Sequence, residues 1–304
     1  MPDSSTDVVT GAFSFTGSYI ADRLLDAGRD VVTLTNHPNR RTAFSERVRT
    51  EPYAFDDFDA LIEILTGVDT LYNTYWIRIP RDGTTFADAI DNSRTLIEAA
   101  DAAGVRRLVH FSVSNPSRSA PPYYRGKAKV EEIVTASDLS TAILRPTLIF
   151  GVEDILLNNI AWFMRRLPVF GVFGNGDYRV QPVYAGDVAD IAIEHGQRNE
   201  NVTIDVAGPD VYTFEELLQE FAHLLDVRCR ILRLPLRFAY AGVKLLELFV
   251  DDTILTWDEA TVLMDGYLTT DTPPRGTTKF TDWVRENAES LGRDYASFRE
   301  RHGR

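Results

Sequence analysis

Short apolar runs alternate with longer segments of helical period through the first half of the chain. Val8-Val9-Thr10, Val31-Val32-Thr33-Leu34 and Val68-Asp69-Thr70-Leu71-Tyr72 are β-branched-rich runs of strand length. Between them, Phe15, Ile20, Leu24 and Leu25 keep helical spacing up to a stop at Gly28, and Leu61, Ile62 and Leu65 do so up to Gly67. The pattern predicts strands at 7–10, 30–35, 51–56, 68–74, 105–112 and 141–146. Helices are predicted from Phe15 to Gly28 and over 57–65, 86–103 and 123–136. Strands that alternate with helices imply a parallel sheet covered on both faces. The expected fold class is therefore α/β, a doubly wound parallel-sheet Rossmann domain.

The pattern changes after Gly151. Residues 155–173 are apolar and aromatic-rich, 174–180 form a glycine turn, and 181–189 read as a return to the first domain. A short strand is expected at 202–206, and Gly208-Pro209 breaks the chain. Helices are then expected at 214–225, 236–249, 256–266 and 279–290. The organisation predicted is 1–150 with 183–208 as the Rossmann domain, and 151–182 with 209–304 as a smaller, mostly helical lobe.

The first strand–turn–helix also carries candidate chemistry. Gly11-Ala12-Phe13-Ser14-Phe15-Thr16-Gly17 lies where a dinucleotide's pyrophosphate sits on a helix N-terminus. A G-x-x-G-x-x-G pattern is expected there, and Ser14 stands at its middle glycine; its hydroxyl could itself bond a phosphate oxygen. The second strand ends without the acid that holds a ribose 2′-hydroxyl. Asn36, His37, Arg40 and Arg41 follow instead. Guanidinium clamps a 2′-phosphate that carboxylate would repel, which favours NADP(H) over NAD(H), although the two arginines also suit a solvated turn. Asp56 is placed to meet the adenine amine. Trp76 and Arg78 fall where the fourth strand opens onto the ligand crevice, to touch substrate or to pack.

Tyr123 and Lys127 stand four residues apart on one helical face. An ammonium beside a phenol favours the phenolate, and a free phenol titrates near about 10, so proton transfer near neutrality needs that help. Lys127 could also hold ribose hydroxyls, and Ser114 could polarise a carbonyl. Alone, this spacing also suits an exposed helix turn.

Charge and composition narrow the partners. Net charge is -13, which argues against nucleic acid. Lysine occurs only at 127, 129, 244 and 279. Excess carboxylate with little lysine resembles the proteins of salt-loving archaea, though a GC-rich genome would also favour arginine. Cys229 is the single cysteine, so no intrachain disulfide is expected. No signal peptide pattern or uncharged apolar run of about 18 residues is seen, and a cytoplasmic location, peripheral to a membrane at most, is expected. His37, His110, His195, His223 and His302 are scattered, so no metal is expected. Residues 236–250 are apolar enough for a protein or membrane-surface partner, but Lys244 and Glu247 interrupt them and core packing is the first expectation.

Taken in order, Thr10-Gly11 to Gly17, Asn73-Thr74, Ser112 to Ser114, Tyr123 to Lys127, Leu144 to Gly151 and Gln181 to Val188 resemble the extended or atypical branch of the short-chain dehydrogenase/reductase superfamily, with its NAD-dependent epimerase/dehydratase-like and NmrA-like members. The resemblance implies an NAD(P)-binding oxidoreductase or epimerase acting on a small carbonyl or hydroxyl substrate. It implies phosphate-loop roles for Gly11, Phe13, Ser14, Phe15 and Gly17, and ribose contacts for Asn73 and Thr74. Lys127 and Pro146 also fall at cofactor positions, and Ser114, Tyr123 and Lys127 match the catalytic triad. Ser114 and Tyr123 stand closer in sequence than in typical extended members. Phe150 to Asp154 with Asn158, Gln181 to Val188 and Leu255 to Glu259 are also similar to the nucleotide-binding accessory subunit of mitochondrial complex I, in the same branch. That similarity implies the alternative, a non-catalytic NADPH-binding subunit or sensor docked on a respiratory complex or membrane.

Overall fold

The structure is a computed structural model that describes residues 5–40, 42–81, 83–117 and 119–301. Arg41 and His302 lie outside the described residues. The chain forms two compact units, one running up to Pro146 and including Ala185–Val206, the other containing Thr147–Tyr184 and the chain from Ala207 onward. The elements β1 (Thr6–Thr10), α1 (Phe15–Asp26), β2 (Asp30–Leu34), β3 (Val48–Glu51), α2 (Phe58–Leu65), β4 (Val68–Asn73), α3 (Phe86–Ala102), β5 (Arg107–Phe111), α4 (Pro122–Ala136) and β6 (Ser140–Pro146) come first. The second unit begins with β7 (Leu148–Phe150), α5 (Ile155–Arg166), β8 (Val169–Phe173), β9 (Arg179–Val180) and β10 (Pro182–Tyr184). The chain then supplies α6 (Ala185–Gly196) and β11 (Val202–Val206) to the first unit. It ends in the second with β12 (Tyr212–Thr213), α7 (Phe214–Leu224), β13 (Arg230–Leu234), α8 (Leu236–Val250), α9 (Trp257–Met264), α10 (Phe280–Asn287) and α11 (Phe298–Arg301).

In the first unit seven parallel strands form one sheet in the order β11-β6-β5-β4-β1-β2-β3. The order reverses between β1 and β4, the place where doubly wound folds open a ligand crevice. Val8, Val9, Leu71 and Leu108 are wholly buried, as central strands covered on both faces require. Helix α1 packs on α6, while α2 packs on α3 and α3 on α4. Ion pairs tie the amino ends of the strands. Asp7, fully buried, accepts two bonds from Arg29 at 2.6 Å, and Arg29 also reaches Asp69 at 2.8 Å. Arg106 holds the Asp69 carboxyl down at about 2, whereas burial raises Asp7 against the pull of Arg29. Arg107 is also fully buried, but its acceptors are neutral: His195 O at 3.0 Å, Glu200 O at 3.0 Å and Ser140 Oγ at 2.7 Å.

Strand three differs from expectation. It spans Val48–Glu51, with Val48 opposite Val31, rather than 51–56. Pro52 has no N–H for the ladder, and Ala54 takes a left-handed φ of 45°, which turns the chain. Tyr53 and Phe55 instead stack at 4.9 Å and both meet Tyr75.

The second unit pairs its short strands as β7/β10, β8/β13 and β9/β12. Phe150 lies 5.3 Å from Phe280 and 5.2 Å from Trp283 in a core shared with α5, α7 and α10. Strand β13 was not expected from the pattern. Its run Arg-Ile-Leu-Arg-Leu lacks alternation. Helix α8 also corrects the expectation of core packing, since Ala239 is its single buried residue. No helix among the described residues is long and apolar enough to cross a membrane.

Candidate functional site

Parallel strands place all their carboxyl ends along one edge of the first unit's sheet. The turn after β1 starts at Gly11, whose φ of +67° favours glycine. Gly11 N–H donates to Leu34 O at 2.9 Å and Ala12 N–H to Thr33 Oγ1 at 2.9 Å, which anchors the turn to β2. A Cβ on Gly17 would stand 2.3 Å from Gly11 O, so α1 rests directly on the turn. The first helical bond runs from Ser18 N–H to Ser14 O. The N–H groups of Phe15, Thr16 and Gly17 therefore lack intrahelical acceptors and face the helix's positive end, which suits a pyrophosphate. The Ser14 hydroxyl does not cap the helix. It donates to Gly11 O at 2.6 Å, so its proton is used within the turn rather than kept for a phosphate oxygen.

Arg40 curls back over this turn, donating from Nη1 to Phe13 O at 3.3 Å. His37 N–H donates to Thr35 Oγ1 at 3.0 Å, and Arg40 N–H to His37 O at 3.1 Å. Burial, then Arg40 and then Arg81, lowers the His37 pKa. Arg81 thus adds a second guanidinium from the segment after β4, a neighbour that sequence reasoning missed. Asn36 is exposed just past β2, and Asp56 is exposed in the turn beyond the shortened β3.

A buried polar chain crosses the middle of the edge. Thr74 N–H donates to Thr10 Oγ1 at 2.7 Å, and Tyr75 N–H to Asn73 Oδ1 at 3.1 Å. That orients Asn73 Nδ2 toward His110 Nδ1 at 3.2 Å. Nδ1 then accepts, and the ring proton is assigned to Nε2, which has no partner among the described residues. Burial first, and then Lys127, hold the His110 pKa well below its ordinary value. The unfolded chain takes up a proton at His110 below about pH 6.5, and the folded site refuses it. Stability should therefore fall on acidification by up to about 1.4 kcal/mol per pH unit from this group. Urea unfolding from roughly pH 7 to 5 should show a shallower slope in His110→Gln. An unchanged slope would remove His110 from the account.

Lys127 is buried on α4. Its Nζ donates to Phe111 O at 2.7 Å and lies 4.9 Å from the centroid of Trp76. Burial lowers its pKa to about 7, against a smaller upward pull from Glu131. Tyr123, one turn earlier, sets its ring edge-on to Trp76 at 6.0 Å and to Phe86 at 6.2 Å. Gly126 admits the indole, since a Cβ there would stand 2.8 Å from it. Trp76 therefore packs against the helix that carries Tyr123 and Lys127, and its Nε1 is buried without a partner among the described residues. Ser114 is fully buried, with its N–H donating to Pro146 O at 2.9 Å, which joins the ends of β5 and β6. Gly11, Asn73, Ser114 and Pro146 thus fall at or just past carboxyl ends of neighbouring strands. No group of three or more His, Cys, Asp or Glu among the described residues could hold a metal ion.

A family model described as the NAD dependent epimerase/dehydratase family matches residues 8–206. The chain is similar to the mitochondrial NADH dehydrogenase [ubiquinone] 1 alpha subcomplex subunit 9 of Arabidopsis thaliana, 26% identical over 77% of this chain and 61% of that protein. It thus spans about three fifths of that relative's length. It is also similar to the (4-alkanoyl-5-oxo-2,5-dihydrofuran-3-yl)methyl phosphate reductase of Streptomyces griseus, 29% identical over 78% of this chain and 77% of that one. The NADPH complex of an NADPH-dependent quinone oxidoreductase from Escherichia coli shares the fold. Its TM-score is 0.73 at 19% identity, covering 92% of this chain and 99% of that chain.

Proposed function

The chain belongs to the NAD dependent epimerase/dehydratase family, and on that footing we propose that it is an NADP(H)-dependent oxidoreductase acting on a small carbonyl or hydroxyl compound. The observation that carries this reading is the buried Lys127, one turn after Tyr123 on α4, whose ammonium reaches Phe111 O at the carboxyl end of β5, on the sheet edge that also bears the Gly11–Gly17 turn. The turn and the first N–H groups of α1 would hold the pyrophosphate, and Asn73 and Thr74 the riboses. When bound, the nicotinamide supplies or accepts hydride at the substrate carbon. Tyr123 Oη gives its proton to the carbonyl oxygen, or takes it back in the reverse direction. Lys127, charged below about pH 7, favours the phenolate that remains. Ser114 would polarise the carbonyl. An epimerase would use the same proton transfers in both directions.

NADP(H) is preferred to NAD(H) in this reading because Arg40 lies against the phosphate turn and no carboxylate follows Thr35. Arg40→Ser should weaken NADPH binding on the order of 10- to 100-fold, the loss of one or two charge-assisted bonds, and leave NADH nearly unchanged. Fluorescence titration with both dinucleotides measures it. Equal losses for both would exclude a 2′-phosphate role.

Native mass spectrometry of the purified protein, followed by oxidation of bound NADPH with a panel of carbonyl compounds, tests the function as a whole. The Arabidopsis relative is named as a subunit of an NADH dehydrogenase, and on that likeness a second reading makes this chain a subunit that holds its cofactor without consuming it. Stoichiometric NADPH that no carbonyl oxidises would support that reading against the first.

A further inference from the structure

We propose that the outer face of α8, together with β13, lies on an anionic lipid surface. Phe238, Ala241, Gly242, Leu245, Leu248 and Phe249 recur at three- and four-residue spacings along α8 and are all exposed. Phe238, Leu248 and Phe249 leave 73%, 80% and 79% of their surface in solvent. The opposite side of the helix, at Ala239 and Val243, packs on Phe173 and Ala260. One side of α8 thus anchors it to its unit and the other presents an uncovered apolar stripe, the form of a helix that rests in a membrane interface.

Charge identifies the occupant. From Val227 to Leu246 the sequence has no Asp or Glu, in a chain whose net charge is -13. The charges in that stretch are Arg228, Arg230, Arg233, Arg237 and Lys244, of which Arg233 is paired with Glu215 at 2.6 Å. Arg228, Arg230 and Arg237 are exposed and make no ion pair among the described residues. Of the acids that follow, Glu247 and Asp252 are turned inward, whereas Asp251 keeps an exposed carboxylate. Glu247 bonds Lys244 and the N–H groups of Ile254 and Leu255, Asp252 accepts from the N–H groups of Phe298 and Arg299, and Asp251 pairs with Arg299. Trp257 is exposed beside the helix, edge-on to Tyr240 at 5.1 Å, and such rings favour the headgroup level. A second copy of the chain meeting this face across a two-fold axis would set the same cations against themselves. Anionic headgroups neutralise them while the acyl boundary takes up Phe238, Leu248 and Phe249.

Flotation of the full chain with vesicles tests the proposal. The protein should float with mixed phosphatidylcholine/phosphatidylglycerol vesicles, not with phosphatidylcholine alone, and salt should weaken the association. The double variant Leu248→Ser/Phe249→Ser should abolish flotation while its unfolding curve and dinucleotide affinity stay unchanged. Arg230→Gln and Arg237→Gln should each lower partitioning roughly fivefold. The proposal is overturned if the protein fails to float with mixed vesicles at low salt, floats equally with neutral ones, or floats undiminished as the double variant. A dimer in sedimentation that the double variant dissolves would assign the face to a second copy and also overturn it.

Discussion

Tyr123→Phe is expected to lower kcat by roughly 10²- to 10⁴-fold, the range typical of one lost general acid–base group, while dinucleotide affinity stays close to wild type. The substitution removes the one atom assigned to proton transfer and keeps the ring. That matters because the ring packs against Trp76, Phe86 and Tyr124 at 6.0, 6.2 and 5.5 Å, so a smaller residue would loosen the start of α4. Lys127, buried and bonded to Phe111 O, should be undisturbed. Steady-state kinetics on any substrate found by the carbonyl panel, with dinucleotide titration alongside, measures both quantities. Full activity in Tyr123→Phe would end the assigned role. Joint loss of activity and cofactor affinity would place Tyr123 in binding instead.

Gly17→Ala should remove dinucleotide binding by a larger mechanism. The new methyl would lie 2.3 Å from Gly11 O and 2.8 Å from Gly11 C, both backbone atoms that cannot swing aside. Helix α1 must lift off the turn, and the N–H groups of Phe15 and Thr16 lift with it. Overpacking of this kind costs about 1–3 kcal/mol of stability, read from the urea midpoint. Cofactor affinity should fall by more, on the order of 100-fold or beyond, because the misplaced N–H groups lose charge-assisted bonds together. Gly28→Ala is the control. Its site is open, so it meets only the φ strain of a left-handed position and leaves the turn intact. Wild-type NADPH affinity in Gly17→Ala would show that the dinucleotide does not sit on this helix end.

Features set by local pattern were legible in the sequence. The Gly11-to-Gly17 turn announces itself because a strand, two glycines and an amphipathic helix follow one another within one short stretch. Tyr123 and Lys127 stand out because helical spacing alone puts them on one face. The rest depends on contacts between distant segments. Arg81 nears His37 only once the chain after β4 has folded. His110 meets Asn73 because β4 and β5 pair in register with those two residues opposite each other. The limit of strand three was hidden because Tyr53 and Phe55 are apolar like strand residues, whereas they stack on each other across the left-handed Ala54. Ser14 showed its place but not its hydrogen bond, since the hydroxyl could equally have turned outward.

The buried guanidinium of Arg107 has a consequence for the order in which the protein is made. Its acceptors, the carbonyls of His195 and Glu200 and the hydroxyl of Ser140, are the partners that let a charge lie at the sheet's base without a carboxylate. Two of the three are absent when a nascent chain has reached only Pro146. Strand β11, which completes the sheet beside β6, is absent then as well. On the ribosome, the first unit's sheet can therefore close only once translation has passed the whole of Thr147–Tyr184 and reached Val206. Until then Arg107 keeps water at the site where α6 will end.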